Sequence, residues 1–101
     1  MENIFFLQGK VIFIIEINLV CVNGTMDLLL KVKYSGESYR LIFRNVSRFS
    51  IDDLSAPMEV QGFEIVDHSS SGWDKDSKFE IRDFEENKIN FYCEEYKLVN
   101  D

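Results

Sequence analysis

His68 is the only histidine in the chain, and residues that could work with it stand beside it: Asp67 on one side, Ser69, Ser70 and Ser71 on the other. An acid, an imidazole and a hydroxyl are the parts of a nucleophilic triad, but a triad is a geometry between elements that converge, and adjacency along the chain does not create one. No Gly-x-Ser-x-Gly elbow is present to present a serine above a sheet. A single imidazole also excludes metal centres built on several histidines. Further on, Asp74, Asp76 and Glu80 alternate with other residues, as oxygen ligands around calcium do. Lys75 intrudes, and the glycine and late glutamate of a calcium loop are missing. The five glycines are isolated, so no phosphate-cradling loop exists. Eighteen acids leave room for a hydrolytic carboxylate pair, yet nothing marks one. The chain reads as a non-enzyme that needs no cofactor and no metal.

Binding is the remaining chemistry. Trp73, the only tryptophan, lies in the same polar stretch as Asp67, His68, Asp74 and Asp76. Its ring either folds back to cap one end of the core or stands exposed among acids as an interface anchor. These five residues form the candidate binding site.

The stretch that carries them, Asp67 to Ser77, is a loop between strands. Asn23-Gly24 is a strong signal for a two-residue type I′ hairpin. Pairing Val22 with Thr25 sets Leu19 opposite Leu28, Ile17 opposite Leu30, Ile15 opposite Val32 and Phe13 opposite Tyr34 on one face, and Glu16 opposite Lys31 on the other. A four-residue turn, Ser35 to Ser38, then pairs Tyr34 with Tyr39, Val32 with Leu41 and Leu30 with Phe43, and keeps the same apolar face. Lys31, Lys33, Arg40 and Arg44 share the opposite face.

Ser50-Ile51-Asp52-Asp53 has capping form, which predicts one helical turn near residues 50–55 that Pro57 ends. Met58 to Val66 reads as a strand with a bulge or close approach at Gly62. Phe79 to Phe84 and Ile89 to Leu98 form a last hairpin with Asn87 left-handed in its loop, Phe79 facing Cys93 and Ile81 facing Phe91. Ile4 to Leu7 is either a further short strand or the front of the first one, with Gly9 as a bulge. Ile12, Ile14, Val20 and Val22 make both faces of the first strand apolar, which predicts a central or covered strand. The fold class is therefore all-β: an antiparallel meander of six to seven strands, forming a sandwich or a partly closed barrel within a single domain, 1–101.

Charge narrows the partners. The net charge is −7, with +2 over residues 1–51 and −9 over 52–101. Nucleic acid is disfavoured by that sign. The acid surplus either solvates the surface or steers toward a basic protein. The apolar run Val11 to Val22 is interrupted by Glu16 and Asn18 and is too short to span a membrane as a helix. No secretory start is visible, so a cytoplasmic setting is expected. There Cys21 and Cys93, each at an apolar strand position, would be reduced and buried, with a disulfide or a reactive thiol as the other options.

Leu41-Ile42-Phe43 through Asp52-Asp53-Leu54, Gln61-Gly62-Phe63-Glu64-Ile65, Gly72-Trp73 and Phe91-Tyr92-Cys93 resemble a group of small bacterial β proteins, some of toxin-immunity type. The resemblance covers about residues 40–98 and carries no catalytic motif. It implies a non-enzymatic role with a protein partner. Three functions stay open at this point: a protein-binding module of immunity type, a small-ligand binder using a barrel mouth or concave sheet, and a domain that self-associates through a sheet edge.

Overall fold

A computed structural model describes residues 5–51, 58–68 and 78–99. Nine strands run through them: β1 (Ile12–Val22), β2 (Thr25–Tyr34), β3 (Glu37–Arg44), β4 (Ser47–Ile51), β5 (Met58–Val60), β6 (Phe63–Asp67), β7 (Phe79–Asp83), β8 (Ile89–Cys93) and β9 (Glu95–Val99). They form two antiparallel sheets, one ordered β5-β1-β2-β3-β9 and the other β4-β8-β7-β6. The architecture is a sandwich without a closed barrel. Among the described residues no helix is long and apolar enough to cross a membrane.

The hairpin signals act as their chemistry requires. Asn23 and Gly24 both take positive φ, at 51° and 81°, so the turn twists with its strands, and Val22 pairs with Thr25. Ile17 faces Leu30, Leu19 faces Leu28 and Glu16 faces Lys31, as the sequence predicts. Beyond Glu16 the register departs from the prediction. A bulge at Ile15 sets Ile14, not Ile15, opposite Val32, and Phe13 opposite Lys33. One extra residue exchanges the faces of everything before it. Ile12 and Ile14 thereby become buried core, while Phe13 turns outward.

The second turn is also tighter than predicted. Ser35 and Gly36, at φ 53° and 81°, form another two-residue turn. Tyr34 pairs with Glu37, Val32 with Tyr39, Leu30 with Leu41 and Leu28 with Phe43. The slip is two residues, so the core face is unchanged.

Several strands number twice because the chain passes from one sheet to the other. Between β3 and β4 the switch is at Asn45, whose φ of 54° turns the backbone. Asp27 braces that corner, accepting from the Asn45 N–H at 3.2 Å and from the Arg44 guanidinium at 3.3 Å. Between β8 and β9 it is at Glu94, whose N–H donates to the Arg44 carbonyl at 3.0 Å. Bends at which strands change sheets are how sandwich corners are made. A third switch, at Gln61-Gly62, separates β5 from β6. A Cβ on Gly62 would lie 2.7 Å from Glu85 Cγ and 2.8 Å from the Phe84 ring, so this is the close approach that the glycine signals.

The core lies between the sheets. Ile12, Ile14, Leu28, Leu30, Leu41 and Phe43 meet Phe63, Ile65, Ile81, Ile89, Phe91 and Cys93 across it, with Met58 and Val60 at one side. Residues Phe5–Leu7 form a 3-10 turn rather than a strand, and Leu7 is fully buried. Gly9, at φ 72°, is not a strand bulge: it follows that turn, and its N–H bonds to the Phe63 carbonyl. Ser50 and Ile51 close β4, and the rest of the predicted helical turn lies outside the described residues.

Candidate functional site

Two surfaces carry the groups that could act. The first is the outward face of the four-stranded sheet. Along β7 the alternation sends Ile81 inward and Glu80 and Arg82 outward. β6 and β7 pair Glu64 with Arg82 and Val66 with Glu80, which brings His68, just past the end of β6, diagonally onto Glu80. His68 Nε2 and Glu80 Oε1 are 3.1 Å apart. Asn90, from β8, donates to the other oxygen at 3.1 Å. Arg82 donates through Nε to Glu64 and lies 3.8 Å from Glu80. Arg48 sits over the Tyr92 ring, 5.3 Å from its centre, and that ring lies 6.4 Å from His68.

Glu80 is 8% exposed. Burial alone pushes its carboxyl pKa up, but the bonds from His68 and Asn90 and the charge of Arg82 outweigh that and hold it below its ordinary value. A carboxylate whose folded pKa is depressed stabilises the fold above its unfolded pKa, and that stabilisation is lost as pH falls through the folded value. Glu80→Gln is therefore expected to cost stability at neutral pH and to flatten the acid limb of the stability curve. Chemical denaturation from neutral pH down through the carboxylate range checks this. Parallel curves for both proteins would mean that the network does not hold the charge.

This arrangement can orient an imidazole, but its hydrogen-bonding groups are committed to one another. Among the described residues no group of three or more His, Cys, Asp or Glu could hold a metal ion. Of the residues that the sequence singles out, the structure places His68 in this network. Asp67 ends β6 on the opposite side of the strand, exposed, where its charge helps burial to raise the Tyr96 pKa. Trp73, Asp74 and Asp76 lie outside the described residues. Glu80 is not part of a calcium loop but a strand residue. A readable clue to its setting is the near-duplication of Phe63-Glu64-Ile65 by Phe79-Glu80-Ile81, which marks two strands of like facing.

The second surface is β1 beyond its bulge. β5 pairs with β1 only at Ile12, Phe13 and Ile14. From Ile17 to Val22 the side of β1 away from β2 has no strand on it among the described residues. Over Ile12 to Ile14 the first strand is central, as expected, with β5 on one side and β2 on the other. Leu19, Val20 and Val22 are 46%, 41% and 45% exposed, and Leu29 shows on the adjoining strand. Cys21 is exposed as well, contrary to its apolar pattern, because this end of the hairpin is not covered by the facing sheet. Cys93 is buried, and burial, with the Glu95 charge, pushes its thiol up to about 12. Both cysteines are free thiols. No family model, no curated protein and no solved structure matches the chain.

Proposed function

We propose that this chain is a non-enzymatic protein-binding module that receives a partner strand on the side of β1 where, among the described residues, no strand borders Ile17 to Val22. The observation that carries the proposal is the chemistry of that side. Ile17, Asn18, Leu19, Val20, Cys21 and Val22 include no charge and no proline, the devices that keep edge strands from pairing. The other edge of the same sheet, β9, carries Glu95 and Lys97. Strand addition obtains its affinity from main-chain hydrogen bonds and its selectivity from alternate side chains. Engagement of His68, Glu80, Asn90 and Arg82 with one another supports the non-enzymatic reading. The resemblance to immunity-type proteins fits a protein partner, in a cytoplasm that keeps Cys21 and Cys93 reduced.

The test is capture from lysate of the source cells by the immobilised chain and by Leu19→Lys, which places a charge on the edge. A protein retained by the first and lost from the second, with both folded, is the expected result. Retention indifferent to Leu19 would count against the edge. If that retention vanished as salt rose, it would favour a second reading, motivated by the net charge of −7: an inhibitor that holds a basic partner against acidic residues such as Asp67.

A further inference from the structure

Independently of that reading, we propose that the outward face of the five-stranded sheet binds a small apolar monocarboxylate, in a cavity between Leu29, Lys31, Arg40 and Ile42. The register builds the site. Glu16 faces Lys31, Lys31 faces Arg40 and Arg40 faces Val99, so four strands contribute one cross-strand row. Two residues along, about 7 Å away, Asn18, Leu29, Ile42 and Lys97 form the next row. Leu28, Leu30, Leu41 and Phe43 are buried in the core, so both rows point outward. Between them lies a cavity of about 120 Å³, partly open to solvent, whose whole lining belongs to described residues. Leu29, Ile42 and Val99 give it apolar walls, and Lys31, Arg40 and Glu16 a charged side.

Charge and volume select the ligand. Lys31 and Arg40 stand directly opposite each other, and like charges so placed on neighbouring strands destabilise a sheet. Nearby the chain balances its cations: Arg44, on the same strand as Arg40, lies 3.3 Å from Asp27 and 3.8 Å from Glu95. Lys31 makes no ion pair among the described residues, and Glu16 accepts from the Asn18 amide at 3.1 Å. Two cations and one carboxylate leave the site a charge of +1 in a chain of −7. A monoanion neutralises it, whereas a polyanion is repelled by the rest of the chain. A carboxylate suits the pair, with its oxygens shared between a guanidinium fork and an ammonium. An apolar cavity of about 150 Å³ accepts a benzene ring. This one takes a single ring or a short branched chain lying on Leu29 and Ile42, a recess that a flat protein surface would leave unfilled.

Titration of the isotope-labelled full chain with benzoate, followed by NMR, tests this. Saturable shifts are expected at the amides of Leu29 to Lys31 and Arg40 to Ile42. The dissociation constant is on the order of a millimolar and rises with salt. Benzamide has the ring without the charge, and acetate the charge without the ring. Each binds about tenfold or more weakly than benzoate. Lys31→Gln and Arg40→Gln each raise the benzoate constant about fivefold. Lys33→Gln removes a cation from the same face but outside the cavity, and leaves the constant unchanged. Removing one of two facing cations relieves repulsion, so Lys31→Gln without ligand is at least as stable as the native chain, and its weaker binding is not a loss of fold.

No saturation at tens of millimolar benzoate overturns the inference, and so does saturation at amides away from these two rows. An equal response to acetate, or an effect of Lys33→Gln as large as that of Arg40→Gln, overturns it as well, since either would reduce the site to a general cationic field.

Discussion

Phe91→Ala is expected to lower the unfolding free energy by about 3–5 kcal/mol. Phe91 is central in β8 and fully buried. Its ring meets the Phe43 ring edge-on, with centroids 5.0 Å apart, and lies tilted against Phe49 at 5.8 Å. Phe43 belongs to one sheet, Phe91 and Phe49 to the other. Truncation therefore removes one of the ring contacts that join the two layers, Phe79 against Tyr96 being another, and leaves a cavity that neither twisted sheet can close without bending. Folded domains of this size hold only about 5–15 kcal/mol in all, so the variant should sit near the edge of folding at room temperature. Phe91→Leu keeps most of the volume and should cost less, about 1–2 kcal/mol. Denaturant midpoints at constant slope measure both. A loss below about 1 kcal/mol for the alanine variant would show that the layers do not meet through this ring.

Asp83→Ala should cost nearly as much, about 2–4 kcal/mol, by a different route. Asp83 is 1% exposed at the end of β7. Its Oδ1 accepts from the backbone N–H of Gly62 at 3.1 Å, Glu85 at 3.1 Å and Glu86 at 3.4 Å, and its Oδ2 from Lys88 at 3.3 Å. One carboxylate thus holds the β7–β8 loop and ties it to the Gly62 switch between the sheets. Alanine strands these donors, and a buried donor left unsatisfied is worth more than the bond it lost. Asn keeps Oδ1 but turns an amide toward the Lys88 N–H, so Asp83→Asn should fall between alanine and the native chain. Hydrogen exchange resolves the effect, with the Gly62 amide deprotected by alanine and spared by asparagine. Equal losses for Ala and Asn would mean that packing, not hydrogen bonding, fixes Asp83.

The parts of this fold that repeat with period two are legible in the residues. Asn23-Gly24 locates the first turn, and the facing of Leu28, Leu30, Leu41 and Phe43 follows from it. The pairing of Phe79 with Cys93 and Ile81 with Phe91, and the left-handed Asn87, are also as the sequence predicts. The bulge at Ile15 is not legible, because Val11 to Ile15 is apolar throughout and offers no polar residue to mark a change of face. The four-residue reading of the second turn survives the parity test because a slip of two residues preserves faces. At Asn45 and Glu94 the apolar phase does shift, with Phe43 followed by Val46 and Cys93 by Tyr96, three residues on rather than two, but such a shift reads equally as a bulge and does not tell that the chain has passed to the other sheet. Of the candidate network, His68 is the member that the sequence singles out as a site residue. Its partner Glu80 depends on a pairing between β6 and β7 that the hairpin logic does not reach. Asp83 is hidden for a similar reason: an acid at a strand end reads as surface until the loop and the Gly62 switch close over it.

The order of strands also governs how a newly made chain behaves. β1, β2 and β3 leave the ribosome consecutively, and as linked hairpins they can form within microseconds of emerging. Apart from Leu7, the core residues outside these three strands belong to later residues, from Val46 through Phe63 and Ile81 to Phe91 and Cys93. At about 5–20 residues per second, synthesis leaves Leu28, Leu30, Leu41 and Phe43 uncovered for roughly 2–10 s. Neighbouring nascent chains on one message then present each other with the same three-stranded ribbon, before β5 and β9 exist to border it. Spacing of ribosomes, rather than final stability, would set how often such ribbons meet, so slow initiation should raise the yield of soluble protein more than low temperature does.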